Sequence, residues 1–221
     1  PEGGKILDLG CGDGIFVNYL AITGPKRNLV GIEINKDRLK MANRGLKNTK
    51  FLVGNVGLYV REMENVGKVD FELLEKFIVL CRESSLLFKM HNCDYLNRQT
   101  LKKINKAGVA AINIAPEFGV IETAALLNQL NMNGMNEEFD KIVELAFQSR
   151  KWEKWMSGNQ LPVTPEKLYK STICGHYVFN HPEVLEIKRK ANEKFGLDFA
   201  LKNAVKDKIK YYLKGLGWSI K

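Results

Sequence analysis

Nowhere do these 221 residues contain an apolar run approaching the roughly 20 residues a membrane-spanning helix needs, so no such segment is predicted. The four cysteines, Cys11, Cys81, Cys93 and Cys174, show neither a close pair nor a metal-like spacing. That excludes a disulfide scaffold and points to reduced thiols in a cytoplasmic protein. No set of residues is spaced as zinc ligands, so no metal is assigned. Internal repeats and low-complexity tracts are missing too, which excludes solenoids and disordered linkers. Acidic charge is in short supply: 34 Lys and Arg face 25 Asp and Glu, a net +9. The lysines are scattered among acids rather than clustered, so the excess reads as a solvated basic surface. It permits an anionic partner such as nucleic acid without requiring one. An apolar content of 45% and a charged content of 27% describe an ordinary globular chain, long enough for one domain or two small ones. The chain opens on Pro1 rather than methionine, as a segment of a longer protein would.

What is present is concentrated near the start. Lys5-Ile6-Leu7-Asp8-Leu9 is an apolar strand that runs into Gly10-Cys11-Gly12-Asp13-Gly14, three glycines at alternate positions. Such a turn lets backbone approach a ligand where any Cβ would intrude. A helical pattern from Ile15 to Thr23 follows, stopped by Gly24-Pro25; its N-terminus would offer unpaired N–H groups and a favourable dipole. Leu29-Val30-Gly31-Ile32 is a second strand, and Glu33 ends it, about 20 residues beyond the glycines, where a βαβ nucleotide site places its ribose-binding acid. A helix over Lys36 to Leu46 and a strand over Lys50 to Asn55 complete a β-α-β-α-β half.

Asp8-Leu9-Gly10-Cys11-Gly12-Asp13-Gly14 with Gly31-Ile32-Glu33-Ile34 resembles the class I S-adenosylmethionine-dependent methyltransferases, whose first motif reads acid-x-Gly-x-Gly-x-Gly. The nicotinamide fingerprint would need glycine where Ile15 stands, and fails. The resemblance implies S-adenosylmethionine as cofactor. Its methionine part would be held by Asp8, Gly10, Cys11, Gly12 and Gly14, its ribose by Glu33 with Ile34 beside it, and its adenine amino group by Asn55. The family usually has aspartate at that last position; an amide oxygen accepts the same hydrogen bond.

From Gly57 the rhythm changes. Leu58 to Met63 reads as a strand, and Asp70 as the cap of a helix to Ser84 with Phe71, Leu74, Phe77, Ile78 and Cys81 on one face. Leu86 to His91 reads as a strand, Asn97 as a helix cap, Ala110 to Ala115 as a strand and Val120 to Leu130 as a helix. This βα series predicts parallel strands with right-handed crossovers. On the first strand, Phe88 and Met90 oppose Lys89 and His91; on the second, Ile112 and Ile114 oppose Asn113. Apolar residues facing helices and polar ones facing inward is the pattern of a barrel lumen. Farther on, helices are predicted over residues 136–156 with Trp152 and Trp155, from Thr164-Pro165, from Pro182 to Phe195, and from Phe199 to Lys214 with Lys202, Lys206, Lys210 and Lys214 in a stripe. Tyr177-Val178-Phe179 reads as a strand that points His176 and His181 to opposite faces.

His91-Asn92-Cys93-Asp94-Tyr95-Leu96 and Asn113-Ile114-Ala115-Pro116-Glu117-Phe118-Gly119 look like segments of the barrel proteins related to tagatose-bisphosphate aldolase, especially its non-catalytic subunit. That resemblance covers about 57–218 and implies that His91, Asp94 and Glu117 lie at strand ends near any sugar-phosphate site. Lys89 and His91 form a second candidate pair, facing the lumen, to supply a Schiff-base amine or a proton shuttle. The expected fold class is α/β: a parallel sheet with a Rossmann-like β-α-β-α-β half (1–56), followed by βα units (57–221) resembling part of a TIM-type barrel. Neither half has enough strands to finish its own fold, so either the two sets share a sheet or the chain is a joined or truncated piece. The expected function is S-adenosylmethionine-dependent methyl transfer to a small molecule, such as a sugar or sugar phosphate, or to nucleic acid. The alternative is a sugar-phosphate aldolase-like barrel protein, including a non-catalytic one.

Overall fold

The computed structural model describes residues 3–9, 26–32, 51–83, 86–156 and 166–219, with side chains from residue 52 onward. The helices expected over Ile15 to Thr23 and Lys36 to Leu46 lie outside the described residues. The chain divides into two interleaved compact units: residues 1–58, 67–93 and 99–113 form the first, and residues 59–66, 94–98 and 114–221 the second.

In the first unit, β1 (Gly3–Leu9) pairs parallel with β2 (Lys26–Ile32), in register from Gly3 opposite Lys26 to Leu9 opposite Ile32. β3 (Phe51–Gly54) pairs parallel with β6 (Leu87–Met90), and β6 with β7 (Ala111–Ile112). Strands from both sides of Gly57 therefore share a sheet, and β1 lies close to β3. Parallel neighbours require crossovers, here α1 (Phe71–Glu83) and α2 (Arg98–Lys106). Asp70 starts α1 as expected: its Oδ1 accepts from Leu73 N at 2.9 Å, satisfying one of the orphan donors of the first turn. Leu74 and Cys81 of α1 and Leu101 and Ile104 of α2 are buried with Phe88 and Met90 of β6. Phe77 stacks on Phe88 at 5.2 Å between ring centres. The alternation read along β6 is present, with Leu87 and Lys89 only half-buried. It does not extend to Ile112, Asn113 and Ile114, which are all half-buried, because β7 is only two residues long.

A turn over Asn55 to Leu58 closes β3. Asn55 clamps it from both sides, its Nδ2 donating to Leu58 O and its Oδ1 accepting from Leu58 N, each at 2.9 Å. Gly57 makes this possible. Its φ is +93°, a region that side chains avoid, and a Cβ there would lie 2.5 Å from the Lys68 carbonyl oxygen.

Among the described residues, the second unit is helical apart from one hairpin. The single strand expected over Leu58 to Met63 is instead β4 (Val60–Arg61) folded back antiparallel on β5 (Glu64–Asn65). Glu62, at φ 53°, takes the left-handed conformation that reverses the chain. The helices are α3 (Pro116–Met132), α4 (Asn136–Gln148), α5 (Glu166–Cys174), α6 (Pro182–Phe195) and α7 (Leu197–Gly215). Three expectations change here. α3 begins at Pro116, which suits the first helical position. α4 stops at Gln148 rather than reaching residue 156, because Arg150 turns left-handed at φ 55° and a 3₁₀ turn, Glu153–Trp155, follows. Tyr177-Val178-Phe179 is not a strand: Gly175–Val178 is a 3₁₀ turn joining two helices. His181 instead caps α6, its Nδ1 accepting from Glu183 N at 3.3 Å. As expected, α6 opens on Pro182 and ends at Gly196, whose φ is 70°. Leu126 and Leu130, Ile142 and Val143, Val184 and Ile187, and Leu197 and Leu201 form the apolar core between α3, α4, α6 and α7. The architecture is thus α/β with parallel strands, as expected. Among the described residues, the βα alternation stops at β7, and no barrel closes.

Gly57→Ala is expected to lower unfolding stability by about 2 kcal/mol, from backbone strain plus displacement of the Lys68 carbonyl. Urea denaturation against wild type measures it; a change below about 0.5 kcal/mol would refute the constraint.

Candidate cofactor edge and a buried carboxylate cluster

The parallel registers decide which residues leave the strands together. Gly54 is opposite Met90, and Met90 is opposite Ile112, so Asn55, His91 and Asn113 follow on one carboxyl-terminal edge. The ladder continues through them: His91 N donates to Gly54 O at 2.9 Å and Asn113 N to Met90 O at 2.8 Å. In open α/β sheets this is the edge where ligands bind. Asn55 is exposed there, and its clamped Oδ1 retains one acceptor lone pair. Lys89 is half-buried within β6, and His91 is exposed just beyond it. In β1, Asp8 is opposite Gly31, and Leu9 is opposite Ile32. The remaining cofactor candidates, Gly10, Cys11, Gly12, Gly14, Glu33 and Ile34, lie outside the described residues.

The other two candidate carboxylates meet in the second unit, at the N-terminus of α3. Asp94 is 1% exposed and Glu117 2%. Asp94 Oδ1 accepts from Ala115 N and Glu117 N, each at 3.0 Å, and so caps α3 from 21 residues upstream. Burial raises its pKa above the ordinary carboxylate value, and the two backbone N–H groups oppose that rise. Glu117 Oε2 accepts from Tyr95 N at 2.6 Å and from the Tyr212 hydroxyl. Its Oε1 lies 2.9 Å from Lys208 Nζ. Burial and the adjacent carboxylates push the Tyr95 and Tyr212 hydroxyls far above the usual phenol range, so both stay protonated. The Tyr211 hydroxyl donates to Leu96 O at 3.1 Å, and Asn65 Nδ2 to Asp94 O at 3.1 Å. The chemistry of this cluster is cohesion: Asp94 Oδ1 and both Glu117 oxygens meet protein donors, and the cluster ties the 94–96 segment and the β4–β5 hairpin to α3 and α7.

Sequence reasoning identified the two carboxylates but missed Lys208, Tyr212 and Tyr95. A signal existed: Lys208 falls off the Lys202–Lys206–Lys210–Lys214 stripe and lies one helical turn before Tyr212 on the inward face of α7.

Residues 1–160 match a family described as methyltransferase domain, and the chain belongs to that family. A tRNA (guanine-N(7)-)-methyltransferase of Acetivibrio thermocellus is 34% identical over 61 residues, 26% of this chain and 28% of that protein. An uncharacterized protein of Rickettsia prowazekii is 24% identical over 147 residues, 64% of this chain. The chain spans about half (55%) of that relative's length. Among solved structures, a probable tagatose 6 phosphate kinase from Sinorhizobium meliloti aligns with 81% of this chain and 55% of its own, at a TM-score of 0.58 and 14% identity. That likeness is one of fold alone.

Two outcomes are expected in the second unit. Asp94→Ala strands two buried donors and is expected to cost about 2–4 kcal/mol, whereas Asp94→Asn, which keeps an acceptor, costs about half as much or less; denaturant melts separate the two. The second concerns pH. Burial and the nearby Lys154 hold His176 below its ordinary value of 6.5. Below pH 6.5 the unfolded chain therefore binds a proton that the folded chain resists, so stability falls as pH drops from about 6.5. Melting temperature measured from pH 7 to pH 5 should fall less steeply in His176→Phe.

Proposed function

We propose that this chain is the cofactor-binding part of an S-adenosylmethionine-dependent methyltransferase. The family match supports it, and one structural observation carries it: Leu9 and Ile32 are register partners at the ends of parallel strands. The next residues along the chain are Gly10 and Glu33. Strand neighbours lie roughly 4.8 Å apart. A side-chain-free turn and a ribose-binding carboxylate leaving adjacent strand ends are what an adenosyl cofactor requires. In this reading Asp8, Gly10, Cys11, Gly12 and Gly14 hold the methionine moiety, Glu33 accepts from both ribose hydroxyls with Ile34 against the nucleoside, and Asn55 Oδ1 accepts from the adenine amino group.

Methyl transfer is then in-line attack of an acceptor nucleophile on the sulfonium methyl carbon, and the protein contributes mainly positioning. Of the four acid–base candidates, His91 is the best placed to relieve the acceptor of a proton, because it is exposed on the same strand edge as Asn55. Lys89 is set back within β6, and Asp94 and Glu117 are consumed by the α3 knot. The acceptor class is a small molecule or a nucleic acid; the net charge of +9 suits the second. Cys81, Cys93 and Cys174 are buried free thiols, which suits a reducing cytoplasm.

Calorimetric titration with S-adenosylmethionine and with its demethylated product tests the reading. Micromolar binding is expected. Glu33→Ala should weaken it by about 30- to 100-fold, the loss of roughly 2–3 kcal/mol of charge-assisted hydrogen bonding. Absence of binding to both compounds refutes the assignment.

A further inference from the structure

Leu197, Leu201, Tyr212 and Gly215 of α7 are buried, and through that side the helix packs on α3 and α6. At about 100° per residue, Phe199, Lys202, Lys206, Lys210 and Lys214 fall on the opposite side. Lys202, Lys206 and Lys214 are exposed, Lys210 is half-buried and Phe199 is 74% exposed. With a rise of about 1.5 Å per residue, the four lysines recur roughly every 6 Å and span about 18 Å.

Like charges one turn apart repel, so the stability of α7 does not ask for this spacing. A face that is merely solvated intersperses acids among its cations. The other helices of the second unit do so: Lys141, Lys167, Lys170 and Arg189 each meet a glutamate. On α7 the acids are already engaged or placed. Glu117 takes Lys208 at 2.9 Å on the inward side, and Asp207 lies 3.4 Å from Lys210. Asp198 stands in the first turn, where the helix dipole favours it. On the helices beside α7, Glu122 lies 3.6 Å from Lys188. Among the described residues, Lys202, Lys206 and Lys214 pair with no carboxylate.

A row of cations without counter-charge fits a partner whose negative charges also come in a row. A compact anion would meet one lysine, not four over about 18 Å. A lipid surface fits poorly: a helix lying on it sinks an apolar face and keeps its cations to the polar side, whereas here lysines hold the middle of the outward face. A nucleic-acid strand carries one phosphate per roughly 3.4 Å, so about five nucleotides match the stripe. Phe199 adds a ring in solvent, three and seven residues before Lys202 and Lys206 and so on their side of the helix. An aromatic ring of this kind stacks on a base that is free of a duplex. Free bases are what RNA loops present.

We propose that the outward face of α7 binds single-stranded RNA, with Lys202, Lys206, Lys210 and Lys214 along the phosphates and Phe199 against a base. Every residue it uses lies in the second unit, so RNA binding here stands or falls separately from the cofactor assignment.

The test is fluorescence anisotropy of the full chain with a labelled RNA of about 12 nucleotides, alternating cytidine and adenosine, titrated at several salt concentrations from 50 to 200 mM. Four phosphate contacts give log affinity a slope of about −2.8 against log salt. The variant carrying Lys202→Gln, Lys206→Gln and Lys214→Gln is expected to have a slope shallower by about 2 and at least tenfold weaker binding at 50 mM salt. Phe199→Ala should weaken binding about fivefold or more and leave the slope unchanged. Lys141→Gln, Lys151→Gln and Lys167→Gln together remove the same charge from other exposed positions of the second unit and should leave the slope as in wild type. All the substituted side chains are exposed, and matching melting curves report that the variants fold. Absence of RNA binding at 50 mM salt, a slope that the α7 lysine variant does not change, or an equal change in the control variant would each overturn the proposal. So would duplex RNA, phosphatidylserine vesicles or poly-L-glutamate bound as tightly as the single strand.

Discussion

Parallel pairing imposes a constraint on which the first unit depends: within each parallel ladder, every strand must deliver its carboxyl end to the same edge. In an antiparallel pair, the residues after Leu9 and after Ile32 would leave at opposite ends of the ladder. Here those two residues face each other, as do Gly54 and Met90, and Met90 and Ile112. Residues separated by 20 to 60 positions in sequence therefore leave the strands together. In the proposed reading, that juxtaposition joins a glycine turn and a distant carboxylate in one site. The crossovers that parallel strands demand also explain the length of the first unit, since α1 and α2 exist to return the chain and to cover Phe88 and Met90.

The second unit solves a different problem. Helices close their own hydrogen bonds except at their ends, so the cost of burying such an end is concentrated at a few groups. The start of α3 is buried, and Asp94 and Glu117 answer that cost: one carboxylate caps the helix and the other gathers a backbone amide, a phenol and an ammonium. Because each carboxylate is nearly inaccessible, removing any one donor leaves charge stranded, and the arrangement holds as a unit or not at all. The same burial explains why two carboxylates with an acid–base look are poor catalysts here. A catalytic carboxylate has to be reached by substrate, and these two are 1% and 2% exposed.

Much of this was legible in the sequence wherever local chemistry decides structure. Asp70 before an apolar stripe, Pro182 opening and Gly196 closing a helix, and the alternation along Leu87–Met90 all appear as read. What stayed hidden depends on single backbone conformations or distant partners. Nothing in the apolar content of Leu58 to Met63 shows that Glu62 turns left-handed and folds a strand into a hairpin, nor that Arg150 does the same to end α4. The true start of α3 is fixed by Asp94, 22 residues before its first residue, a cap that no local pattern displays. Tyr177 to Phe179 look like a strand by composition, yet a three-residue apolar run carries no period, and packing against α3 set it as a 3₁₀ turn.

The motifs and the family match differ in reach for a related reason. The residues that resemble a methyltransferase motif end at Asn55, whereas the match continues to residue 160. A motif is read one residue at a time, from residue types such as glycine and carboxylate whose chemistry few others share. Beyond them the constraint falls on classes: Leu74, Leu101 and Ile104 need only be apolar and correctly spaced to cover β6. A pattern of classes is invisible to motif reading and detectable only when summed over many positions. The match covers all of the first unit, which ends at residue 113, and enters the second. The interval from 56 to 113, which lacks a methyltransferase motif, returns the chain twice and sets Asn55, His91 and Asn113 on one carboxyl-terminal edge of the β3–β6–β7 sheet.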